Sequence, residues 1–97
     1  MTMIAELTAA HFEPLRDQAF TLTSVEPPLS LRLIEVQRTG KGERAGGAFS
    51  LLWQSGDGAV LPQGIYAISN DALGEIELFI VPVGRADGGI QYQAVFT

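Results

Sequence analysis

Residues 61–81 read LPQGIYAISNDALGEIELFIV, and the fold follows from how this run is divided. Pro62 and Gly64 punctuate its start, and Asn70-Asp71-Ala72-Leu73-Gly74 supplies a reversal. Asn, Asp and Gly are the residues that tolerate the backbone angles of hairpin turns. The flanks, residues 65–69 and 75–81, are rich in β-branched and aromatic side chains. They read as two strands of a hairpin. In the second strand Ile76, Leu78 and Ile80 share one face, and Glu75, Glu77 and Phe79 share the other.

On the C-terminal side, residues 82–89 contain Pro82 and end in Asp87-Gly88-Gly89, which reads as a loop. Residues 90–96 alternate, with Ile90, Tyr92, Ala94 and Phe96 on one face and Gln91, Gln93 and Val95 on the other. On the N-terminal side, residues 48–54 place Phe49, Leu51 and Trp53 together, with Leu52 on the opposite face. Residues 29–38 begin with Leu29, Leu31 and Leu33 in phase and then slip, so that Ile34 and Val36 become the apolar positions. A period-2 pattern that slips by one predicts a β-bulge, a device that curved small barrels need. Phe20 and Leu22 alternate with Thr21 and Thr23, so residues 18–23 read as a further strand before the Glu26-Pro27-Pro28 break. Residues 8–13 read as a short helix with Thr8 as N-cap, limited by Pro14, its Leu7, Phe12 and Leu15 plugging one end of the sheet.

The expected fold is all-β and mainly antiparallel: a small sandwich or partly open barrel of about six strands with one short N-terminal helix, in a single domain spanning residues 1–97. No helical stretch is long enough for a parallel crossover. With 97 residues, 46% of them hydrophobic, the chain can build one small core and has apolar surface to spare. The formal charge of −5 repels phosphate backbones and argues against nucleic acid. The absence of cysteine excludes disulfides, thiol catalysis and Cys-type zinc sites. The start, MTMIAELTAAH, has neither a basic n-region nor a long apolar run, so a soluble cytoplasmic protein with no membrane partner is the expectation.

The candidates for chemistry are few. Residues 39–47, TGKGERAGG, contain a phosphate-loop-like fragment, but Ala45 stands where the dinucleotide fingerprint needs glycine and a strand follows instead of a helix. The segment reads first as a solvated β–β loop. Its Arg38, Lys41 and Arg44 form the only basic cluster, a candidate contact for an anion or an acidic partner. His11 is the only histidine and lacks the further ligands or orienting base that a metal site or triad requires. Glu75 and Glu77 lie roughly 7 Å apart on one strand face, a spacing compatible with paired-carboxylate chemistry. The alternation with Ile76, Leu78 and Ile80 explains them as a solvent-facing strand. No catalytic, metal-binding or cofactor-binding residue is assigned, and no cofactor is expected. Phe79 departs from the polar pattern of its face, and with Leu52, Val81 and Val95 it defines a candidate outer apolar interface.

The runs LTAAHFEPL, QAFTL, GERAGGAFSLLW, LPQGIYAI, LGEIELFIVPVG and the terminal YQAVF extend over nearly the whole chain. Together they resemble a bacterial family of small single-domain proteins described as a domain of unknown function. Many of that family's members are encoded near phage-tail-collar-like proteins, so the resemblance implies a structural or assembly partner and no enzymatic activity. The leading expectation is a non-enzymatic interaction or assembly module that self-associates or docks on a larger protein, through the outer patch or through an open edge at residues 18–23 or 90–96. The alternative is a small-ligand-binding protein with a pocket between the sheet and the N-terminal helix, near Trp53 and Tyr66. An enzyme using Glu75, Glu77 or His11 is the third.

Overall fold

The computed structural model describes residues 7–40, 47–56 and 60–96. A single helical turn, α1 (Ala9–Phe12), runs into a 3-10 turn at Glu13–Leu15. Six strands follow: β1 (Ala19–Leu22), β2 (Leu29–Gly40), β3 (Ala48–Ser55), β4 (Gly64–Asn70), β5 (Gly74–Ala86) and β6 (Gly89–Phe96). They form one antiparallel sheet that closes on itself in the order β1-β2-β3-β6-β5-β4, with β4 returning to β1. The all-β expectation of six strands and one helix therefore holds, and the sheet is closed rather than partly open. Residues 18–23 and 90–96 are not edges, because β1 pairs with β2 and β4, and β6 pairs with β3 and β5.

The central hairpin forms as its sequence predicts. β4 and β5 pair from Asn70↔Gly74 to Gly64↔Ile80. At the turn, Leu73 N–H donates to the Asn70 carbonyl, and Gly74 takes a φ of 76°. Asn70 contributes through its side chain: Oδ1 accepts from Ala72 N–H at 2.8 Å, the short loop that Asn forms with its own backbone.

Residues 82–89 are a correction. β5 does not end at Val81 but continues to Ala86. Pro82 is accommodated because the register slips between Pro82 and Gly84, leaving Val83 as the extra residue. Asp87 and Gly88, with φ of 53° and 81°, then turn the chain in two residues between the paired Ala86 and Gly89. Asp-Gly is the dipeptide that such a turn selects, since both central residues need positive φ. The phase slip in β2 is a bulge as predicted. Leu33 faces Trp53 and Glu35 faces Leu52, so Ile34 is extra and Val36 returns to the core side opposite Leu51.

The barrel interior is filled by alternate residues of every strand, among them Phe20, Leu31, Leu51, Trp53, Ile68, Leu78 and Tyr92. One end is sealed by aromatics. Phe49 and Phe96 stack at 4.3 Å between ring centroids, and Phe12 of α1 packs 5.9 Å from each. Leu7, Ala9 and Leu15 are buried beside it, so the helix is the plug that its apolar side predicts. At the other end the β5–β6 turn latches onto β3. Gln54 Nε2 donates to the Ala86 carbonyl at 2.7 Å, and Ile90 N–H donates to Ser55 Oγ at 2.9 Å.

Two stability predictions follow from these ends. Phe12→Ala removes a fully buried ring and its two aromatic contacts, and should lower stability by about 3–5 kcal/mol, read as a shift of the urea midpoint at unchanged slope. A Cβ at Gly89 would overlap the Ser55 carbonyl oxygen, whereas one at Gly84 meets nothing within 4 Å. Gly89→Ala should therefore destabilise by about 1–3 kcal/mol while Gly84→Ala stays within about 0.5 kcal/mol of wild type. Equal midpoints for the two would contradict the latch.

Candidate functional site

The closed sheet leaves one conspicuous surface, the outer face of β4, β5, β6 and β3. Alternation in β5 sends Ile76, Leu78 and Ile80 inward and Glu75, Glu77 and Phe79 outward. The hairpin register puts Ile65 directly opposite Phe79, and both are exposed, at 71% and 53%. The next outward row runs Val81, Gln93, Leu52 and Glu35 across four strands. Val95 lies two residues beyond Gln93, and Phe79 two residues before Val81, so both are displaced the same way along the barrel. Val95 is exposed, and Val81 and Leu52 are half-buried.

All four residues of the expected interface, Leu52, Phe79, Val81 and Val95, therefore share one face. Ile65 is the member that the sequence reading missed. Its signal is arithmetic: a reversal closed by Asn70 and Gly74 makes residue 65 the partner of residue 79.

The electrostatics of this face are one-sided. β3, β4, β5 and β6 contain a single basic residue, Arg85, which is exposed and stands in register with Ile90 at the barrel's far end, six positions along β5 from Phe79. Glu75 and Glu77 flank the apolar row on β5, and Glu35 stands at the β2 end of the second row. Glu75 also accepts a hydrogen bond from Thr23 Oγ1 at 2.8 Å, which ties it to the residue after β1.

Of the basic cluster, Arg38 alone lies within the described residues. Arg38 is engaged by Glu13, donating from Nε at 3.2 Å and from Nη2 at 2.9 Å. This two-pronged pair joins the 3-10 turn to β2. Lys41 and Arg44 lie outside the described residues. His11 likewise serves the fold: its Nδ1 accepts from the Thr8 backbone N–H at 2.9 Å and lies 3.2 Å from the Thr8 hydroxyl. This is the reciprocal half of a capping box. Among the described residues no three His, Asp or Glu side chains gather as a metal site would need, and no helix is long and apolar enough to cross a membrane.

Trp53 and Tyr66, expected near a ligand pocket, are used by the fold. Trp53 is fully buried with its ring edge-on to Phe20 at 5.6 Å, and Tyr66 donates its hydroxyl to the Pro62 carbonyl. An open pocket of about 270 Å³ lies at the end of the barrel away from the helix, lined by Val60, Pro82, Gly84, Arg85 and Ile90.

No curated protein and no solved structure matches the chain. Residues 7–96, which take in the helix and all six strands, match the family described as domain of unknown function DUF6916, and the chain belongs to that family.

Proposed function

We propose that this protein is a non-enzymatic interaction or assembly module that presents the outer face of β4-β5-β6-β3 to a larger protein. The pairing of exposed Ile65 with exposed Phe79 carries the reading. Burying a side chain of this kind is worth about 1.5–3 kcal/mol, and here that gain is left open on two adjacent strands. Half-buried Val81 and Leu52 extend the apolar surface and Val95 adds to it, as in the core of a protein contact. Closure of the sheet supports a face-on contact, because a partner strand has no edge to join. The net charge of −5 speaks against a nucleic-acid partner. The resemblance to a bacterial family encoded near phage-tail-collar-like proteins favours a structural protein as the partner, and a bacterial, cytoplasmic setting goes with it.

A photo-crosslinking residue, p-benzoylphenylalanine, placed at position 65 in the native host should give a discrete adduct on irradiation. The same residue at position 30, exposed on β2, should not. Phe79→Glu should remove the position-65 adduct with the fold retained by circular dichroism. No adduct at 65, or the same adduct from both positions, would remove the reading.

A second reading, a small-ligand binder, is favoured by the pocket at the far end of the barrel. Its lining by Val60, Pro82, Gly84 and Ile90 suits a small apolar ligand. Titration with benzyl alcohol should then shift the amide resonances of Gly84 and Ile90 saturably. Linear, non-saturating shifts would count against it.

A further inference from the structure

The outer face carries more than apolarity. Its charge pattern selects among occupants, and an inference from it rests on the docking reading above. Within β3, β4, β5 and β6 every acidic side chain, Glu75 and Glu77, lies on the outward side, while the one cation, Arg85, stands at the far end of β5, in register with Ile90 and beyond the bulge. On the neighbouring β2, outward Glu35 continues the acidic border, while Arg32 is already paired with Asp17 at 3.2 Å. A second copy docked on this face would bring its own acidic border. Among the described residues, the outer face of β4-β5-β6-β3 itself carries no cation to meet the Glu75 and Glu77 of a second copy. Like charges brought together across an interface cost binding, while opposite charges set partner choice and speed of encounter.

We infer that the face takes an amphipathic, basic polypeptide segment of another protein, with apolar side chains seated on Ile65, Phe79, Val81 and Val95 and Lys or Arg directed to Glu75 and Glu77. The spacing sets the pattern such a segment needs. Glu77 lies two strand positions from Phe79, roughly 7 Å, and Glu75 roughly 14 Å. On a helix, four residues advance about 6 Å, so a cation one turn beyond the apolar anchor reaches Glu77, and one two turns beyond approaches Glu75. Thr23 holds the Glu75 carboxylate through Oγ1, which orients one acceptor in advance. The acidic border also disfavours an anionic lipid surface as the occupant.

Two 18-residue synthetic helices with the same leucine face, one with lysines and one with glutamates on the polar face, discriminate the occupants. Each is titrated into isotope-labelled protein and followed by amide chemical shifts. The lysine peptide should bind saturably with shifts centred on Ile65, Glu77, Phe79 and Val81. Its affinity should fall at least about tenfold for Phe79→Glu, for the glutamate peptide on wild type, and for the Glu75→Lys/Glu77→Lys variant. The charge-reversed variant should in turn prefer the glutamate peptide. Should Phe79→Glu disturb the fold, Ile65→Ser, at the most exposed large apolar residue of the face, replaces it. Equal affinity of the two peptides for wild type, or shifts mapping away from this face, would overturn the inference about charge and leave the docking face standing if the position-65 adduct forms. A position-65 adduct with twice the mass of the chain would also overturn it, in favour of a second copy. Loss of both the adduct and the peptide shifts would remove the docking face itself.

Discussion

Closure of the sheet between β1 and β4 is the constraint on which the remaining structure depends. The strands meet over only two paired positions, Thr21↔Ser69 and Leu22↔Ile68. Side chains and flanking backbone complete the join. Thr23 N–H donates to the Ala67 carbonyl at 2.9 Å, Ala67 N–H donates to Ser24 Oγ at 3.0 Å, and Asn70 Nδ2 reaches the Ala19 carbonyl at 3.1 Å. A ring of six strands must also curve sharply, and the bulges at Ile34 in β2 and Val83 in β5 supply local bending and twist. With the ring shut, the alternation of each strand has an unambiguous meaning: one set of side chains fills the interior and the other faces outward.

That division also defines what the molecule can offer. Inside, Trp53, Tyr92, Phe20 and the aliphatic residues of all six strands fill the barrel, and Phe12, Phe49 and Phe96 seal its helical end. The polar residues that suggested chemistry are occupied in holding these parts together: His11 in the cap of α1, Arg38 with Glu13, and Glu75 with Thr23. The outer face of β4, β5 and β6 keeps large apolar side chains with no structural task of that kind. What the molecule presents to a partner is therefore a surface rather than a cleft.

Much of this was legible in the chain. The hairpin around residues 70–74, the helix that plugs one end, and the phase slip after Leu33 each have a local cause, so local reading finds them. The grouping of Leu52, Phe79, Val81 and Val95 follows from strand period alone. What local reading missed depends on partners distant in sequence. Pro82 suggested that β5 ends, and only the bulge opposite β6 explains how the strand passes through it. Asp87-Gly88 carried a hairpin signal that the preceding proline obscured. Ile65 is an ordinary strand residue until the register sets it against Phe79. Closure depends on two residues of β1 meeting β4 across a long gap in sequence, Leu22 against Ile68 being 46 positions apart, which no pattern within either strand announces.

The slenderness of that join sets the order in which the molecule loosens. β3 and β6 share six paired positions and β4 and β5 share seven, against two between β1 and β4. Opening one stave withdraws Phe20 and Leu22 from the core, Phe20 from its edge contact with Trp53, and leaves the pairings among β3, β4, β5 and β6 in place. Slow amide exchange should therefore be concentrated in β3, β5 and β6, with β1 exchanging through a partial opening well below the energy of global unfolding. Uniform protection around the ring would show instead that the six strands unfold as one cooperative unit. An opened ring would expose the hydrogen-bonding edges of β1 and β4, so the bonds of Thr23, Ser24 and Asn70 at this seam also guard the chain against pairing with its neighbours.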